Sequence, residues 1–171
     1  MKSTICITGL ANNYSERITQ LLADKLGLFY ANIIKMLEFD IVDISSTIKI
    51  CGMAYYKDLI AKKLKEVSTF DNTIAYLNYY VLQYDTCVDL FKKKFLTIYL
   101  QVSEKDYSKY LKDDNVSELE YKLERSIFKP RDKYFSSKCD IIIKCKNKTD
   151  DEVVEIIQNE LCKYLSKRSK K

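Results

Sequence analysis

The segment Phe95 to Val102, FLTIYLQV, places the tightest constraint on the fold. It is short, rich in strand-forming residues and apolar on both faces, so as a strand it has to be covered from both sides. A central parallel strand between layers of helices meets that condition. The segments around it fit the same plan. Ser3 to Thr8 reads as a buried strand. A turn at Gly9 to Asn13 leads to a helix opened by Ser15-Glu16-Arg17, with Ile18, Leu21, Leu22 and Leu26 at helical spacing and Gly27 at its stop. Asn12 and Asn13 suit left-handed turn backbone. Phe29 to Ile33 and Thr73 to Tyr76 read as short strands, and residues 35 to 51 and Met53 to Val67 as helical. A tyrosine-rich helical stretch is expected to run on to Leu90. Ser103 caps a further helix, Val116 to Phe128 reads as helix, and Asp140 to Lys144 as a strand. The last helix starts near Thr149 or Asp150 and buries Val153, Ile156, Ile157 and Leu161.

Strands alternating with helices predict an α/β fold, three layers α/β/α with a central, mostly parallel five-stranded sheet. The 171 residues make one domain, assigned to 1–162, followed by a basic tail at 163–171. In such sheets ligands bind where strands turn into helices at their carboxyl ends, so the first turn is the place to look.

Composition removes several kinds of chemistry. There is no histidine, which excludes Ser-His-Asp, Cys-His and histidine-based metal sites. Gly9, Gly27 and Gly52 are the only glycines, so no later loop has the permissive backbone that close approach to a phosphate usually demands. The cysteines Cys6, Cys51, Cys87, Cys139, Cys145 and Cys162 form no CxxC pair, and Met1 to Thr4 opens no long apolar run. They read as reduced thiols of a cytoplasmic protein. No apolar stretch reaches the ~18 residues of a membrane span. The formal charge is +5, and Lys163, Lys167, Arg168, Lys170 and Lys171 account for it, leaving the rest of the chain neutral. A neutral body without a recognition motif argues against specific nucleic-acid binding.

The order and spacing of these segments resemble the shikimate kinases, members of the P-loop nucleoside-monophosphate-kinase fold. The opening strand, Gly9, the turn and LLADKLGL (Leu21 to Leu28) look like that family's start. TIYLQVSEKDYSKYL (Thr97 to Leu111) resembles its "YLDVS" strand and following helix. RDKYFSSKCDIII (Arg131 to Ile143) resembles its "R-x-P-L-Y-x-E-x-A-D" segment, and TDDEVVEIIQNEL (Thr149 to Leu161) its final helix. The resemblance implies a P-loop GxxxxGK[ST] that cradles ATP phosphates and holds Mg²⁺. Aligned without gaps, Gly9 keeps the first glycine, Asn12 replaces a further one, Asn13 is the next turn residue and Tyr14 stands at the second glycine of the motif. Ser15 takes the lysine position and Glu16 that of the metal-binding hydroxyl. A carboxylate at Glu16 directed into the cradle would repel a triphosphate by a few kcal/mol at an effective dielectric of ~20.

Other parts of the resemblance also depart. The family's "DTD" aligns with Asn32-Ile33-Ile34, and its glycine-rich pocket turn with Leu77-Asn78-Tyr79, where large side chains would fill the space. The lid is short, Lys112 to Ser117, and lacks arginine. Lys57-Asp58 and Arg131 align with substrate-side positions, Arg131 with the arginine that binds the substrate carboxylate, and could serve a small carboxylate or phosphate.

The reading that follows is a catalytically inactive relative, a binding, regulatory or structural protein with no cofactor and no metal. The alternative is an active small-molecule kinase using ATP and Mg²⁺, with Arg17 replacing the lysine. Tyr76, Tyr79, Tyr80 and Tyr84 include same-face helical spacings, a pattern of half-buried core or of a surface for a protein partner or a second copy.

Overall fold

The computed structural model describes residues 4–41 and 43–168. Its five strands are β1 (Thr4–Gly9), β2 (Phe29–Asn32), β3 (Thr73–Tyr76), β4 (Phe95–Gln101) and β5 (Ile141–Lys144). They form one parallel sheet in the order β2-β3-β1-β4-β5. The helices are α1 (Asn12–Leu26), α2 (Ile33–Asp40), α3 (Ile44–Val67), α4 (Asp85–Lys94), α5 (Glu104–Asp113), α6 (Glu118–Lys138) and α7 (Asp150–Arg168), with a 3₁₀ turn at Tyr79–Gln83. They complete the three-layer α/β/α arrangement; α1 packs on α7, α3 on α4 and α5 on α6. As its sequence requires, β4 lies inside the sheet and is buried from Phe95 to Leu100.

From β1 the chain crosses to β2 on one side, and from β4 it leaves to β5 on the other. The carboxyl ends of these neighbouring strands are therefore where chain directions part, the position at which open α/β sheets bind ligands.

Three local details differ from the sequence expectation. α1 starts at Asn12, three residues before Ser15, so Asn12 and Asn13 are helical and do not form a left-handed turn. The left-handed positions fall instead on Asn72, Asn115 and Asn147, with φ of 49°, 53° and 57°, where a chain with no glycine after Gly52 uses the next most tolerant residue. The sixth helix continues past Phe128 and through Pro130 to Lys138, because Glu124, Phe128 and Phe135 keep burying one face. The expected helical run 35–51 is divided, with α2 ending at Asp40 and α3 starting at Ile44, while the expected break before Met53 falls at Gly52, whose φ of 86° suits glycine. Residues 163–168 continue α7, and Ser169, Lys170 and Lys171 of the expected tail lie outside the described residues.

Gly9 sets how closely α1 approaches the sheet. A Cβ there would collide with the Ser15 hydroxyl and come within 3.0 Å of the Leu100 carbonyl oxygen. Ser15 is fully buried, and its Oγ has no hydrogen-bond partner among the described residues. Gly9→Ala is therefore expected to destabilise the fold by about 1–3 kcal/mol, as overpacking does. Ser15→Ala, which removes an unpaired hydroxyl, should leave stability unchanged or raise it by up to about 1 kcal/mol. In a double-mutant cycle read by chemical denaturation, Ser15→Ala should recover part of the Gly9→Ala loss; strict additivity would contradict the contact.

Candidate functional site

The turn after β1 is short, and tertiary contacts hold it closed. The Ser15 N–H donates to the Ala11 carbonyl at 2.8 Å, so the helical ladder is running where an open phosphate loop would still be extended. The Tyr76 hydroxyl, at the end of β3, donates to Asn12 at 3.1 Å. Asn13 Nδ2 donates to Asp114 Oδ1 at 2.6 Å, tying the turn to the α5–α6 connection. That connection is short, as the sequence indicates, and Ser117 starts α6 with a capping box to Glu120.

The side chains that follow point in three directions. Tyr14 turns into the core, 3% exposed, and stacks on Tyr110 with ring centroids 4.9 Å apart; burial raises its hydroxyl pKa well above the usual range. Beside it burial pushes the Cys145 thiol up to about 11, leaving it protonated at neutral pH. Glu16 does not point into the turn. Its Oε1 accepts hydrogen bonds from Lys35 Nζ at 2.6 Å, Tyr30 Oη at 2.9 Å and Asn32 Nδ2 at 3.0 Å. The expected repulsion of a phosphate by a carboxylate aimed into the cradle therefore does not apply. Burial alone would raise the Glu16 pKa, but the bonds from Lys35, Asn32 and Tyr30 outweigh it and hold the carboxyl below its ordinary 4.5. Arg17 grips Asp150 with Nε to Oδ2 at 2.8 Å and Nη2 to Oδ1 at 3.3 Å, and covers the Tyr14 ring.

The substrate-side positions are not brought together by any described contact. Lys57 Nζ rests 4.7 Å from the Tyr84 ring centre, and Asp58 is exposed on α3. Arg131 lies on the buried face of α6, where Nη1 donates to Glu124 Oε2 at 2.7 Å and to Tyr79 Oη at 3.1 Å. Glu124 is the hub that sequence reasoning missed. Only 8% exposed, it also accepts from Tyr107 at 2.7 Å, Tyr79 at 2.9 Å and Tyr80 at 3.4 Å. Its spacing of four to Phe128 and seven to Arg131 puts all three on one helix face, a signal present in the sequence.

The tyrosines do not share a helix. Tyr76 ends a strand, Tyr79 and Tyr80 are in the 3₁₀ turn and Tyr84 follows it. Tyr76 and Tyr79 are buried at 2% and 3%, while Tyr80 is 42% exposed. They form a wall and do not present a common surface. Tyr79 fills the turn as its size suggested, and Asn78 caps it.

Two cavities flank this wall. One, about 230 Å³, sits over the β1–α1 turn between Asn78, the tyrosines and the end of α5, and among the described residues no lysine or arginine lines it. The other, about 360 Å³, lies on the far side of Tyr79 and is lined by Arg131, Pro130 and Tyr134. The group that a P-loop fold implies is a magnesium nucleotide, and these residues do not fit one: helix begins at Asn12, the cavity above the turn has no lysine or arginine among the described residues, and Arg17 is held by a carboxylate.

No family model matches the chain, and no curated protein matches it. Solved structures do. The chain superposes on shikimate kinase from Bacteroides thetaiotaomicron with a TM-score of 0.78 at 15% identity, covering 92% of this chain and 97% of that one. For shikimate kinase from Acinetobacter baumannii in complex with shikimate the TM-score is 0.78 at 13% identity, covering 95% and 94%. For shikimate kinase from Aquifex aeolicus it is 0.70 at 19% identity, covering 92% and 95%. The fold is therefore that of the shikimate kinases.

Replacing Glu124 with Gln removes the charge that neutralises Arg131 in a largely buried setting. A stability loss of about 3 kcal/mol is expected, the low end for stranding one member of a buried pair. Denaturant melts of Glu124→Gln, Arg131→Met and the double variant check it: the coupling should be a large share of the single losses. Glu16 gives a pH signature. Because its folded pKa is depressed, its contribution is fully present above the unfolded value near 4.5 and fades as pH falls through the folded pKa. The stability difference between wild type and Glu16→Gln should be constant above pH ~5 and shrink below 4.5; a pH-independent difference would contradict the network.

Proposed function

We propose that this chain is a binding, regulatory or structural protein built on the shikimate-kinase fold, acting in the cytoplasm without phosphoryl transfer. The observation that carries this reading is the turn after β1, where helix begins at Asn12 and the cavity above has no lysine or arginine among the described residues. Phosphoryl transfer is catalysed almost entirely by positioning and by charge placed against the phosphates. Here Ser15 occupies the lysine position with its hydroxyl buried against Gly9, and Glu16 is spent on Lys35, Tyr30 and Asn32.

The alternative, a kinase with Arg17 in the lysine's role, requires Arg17 to leave a two-point ion pair with Asp150. The substrate side supports the same conclusion. The arginine that would receive a carboxylate already has one, from Glu124, so an external small carboxylate or phosphate has to compete with an internal group.

The test is thermal stability with millimolar Mg-ATP, shikimate, or both. A ligand binding only the native state at 100 times its dissociation constant would add ~2.7 kcal/mol, and each kcal/mol raises the melting point by about 2–4 °C at this size. No shift is expected with any of them. A saturable shift with Mg-ATP that disappears in Arg17→Ala would overturn this reading in favour of an active kinase.

A further inference from the structure

The cavity over the β1–α1 turn differs in chemistry from a phosphate site. Four tyrosines, Tyr79, Tyr80, Tyr107 and Tyr110, contribute to its walls, and among the described residues its one formal charge is the carboxylate of Asp114 at the end of α5. Three basic groups around the turn are held by carboxylates: Arg131 by Glu124, Arg17 by Asp150 and Lys35 by Glu16; Asp106, near Tyr110, is bonded to Ser103. The amino end of α1 and the carboxyl end of α5 both meet the cavity. The Asp114 carboxylate accepts from Asn13 Nδ2 at 2.6 Å and has no ion-pair partner among the described residues. The same group of rings already attracts cations from outside the cavity, with the Arg131 guanidinium 5.0 Å from the Tyr79 centroid and 5.9 Å from that of Tyr80.

We infer that this cavity binds a small alkylated ammonium ion, seated among the tyrosines with Asp114 as its counter-ion. Aromatic walls with one carboxylate recognise such ions through the electron-rich ring faces, which a strongly hydrated phosphate cannot use. At about 230 Å³ the space takes a compact head group and not a nucleotide. The inference rests on the proposed non-kinase reading, since it assigns to the old phosphate position a ligand of opposite charge.

The experiment is calorimetric titration of the full chain with tetramethylammonium and choline at constant ionic strength. The uncharged choline isostere 3,3-dimethylbutanol and Mg-ATP are titrated in parallel. Saturable binding of the ammonium ions, about tenfold or more tighter than the isostere, is expected. Asp114→Asn, with circular dichroism checking that its fold is native, should weaken ammonium binding severalfold and leave the isostere unaffected. Tyr110→Leu should weaken it as well. Equal binding of choline and its isostere, or binding of neither, overturns the inference; if Mg-ATP is also silent, the non-kinase reading stands without it. Binding of Mg-ATP would instead overturn the reading beneath it.

Discussion

The approach of α1 to the sheet at Gly9 governs the rest of the molecule. With no side chain on Gly9, the buried Ser15 hydroxyl sits in the space a Cβ would take, and the helix closes down on the strand directly after its last residue. In a phosphate-binding turn the missing Cβ makes room for a ligand. Here a serine fills that room. Once α1 starts at Asn12, Tyr14 falls into the core against Tyr110, Arg17 reaches Asp150 at the head of α7, and Glu16 turns toward β2 and α2. Each of these contacts reinforces the closed turn.

A second constraint works across the tyrosine wall. Glu124 and Arg131 put opposite charges on the inner face of α6, where neither would be stable alone. Hydroxyl donors from the 3₁₀ turn and from α5 complete the acceptor shell of Glu124, so three separate elements meet on one carboxylate. Arg131 is committed to an internal partner, and among the described residues the cavity on the other side of Tyr79 has Asp114 as its one charged lining residue.

Much of this was legible in the sequence. Phe95 to Leu100 announced a strand buried on both faces, Ser103 announced its helix, and the order of elements was enough to suggest the fold that the solved shikimate kinases confirm. What escaped was tertiary. Asn12 and Asn13 are poor helix formers by themselves, and their helical state depends on Tyr76 and Asp114, which lie 64 and 101 residues away. The direction of Glu16 could not be read because its three partners come from β2 and α2. Glu124 was readable in principle, from helix-face geometry across Pro130, but a proline in the run hid the continuity of the helix.

The central claim is that the β1–α1 turn is closed helix and offers no cradle for phosphates. Backbone NMR of the full chain tests it most directly, by following Gly9 to Arg17 while Mg-ATP is titrated in. The account predicts helical carbon shifts from Asn12 onward and no movement of these amides at millimolar nucleotide. Extended or averaging shifts at Asn12 to Tyr14, with amides from Gly9 to Ser15 moving saturably as nucleotide is added, would contradict it.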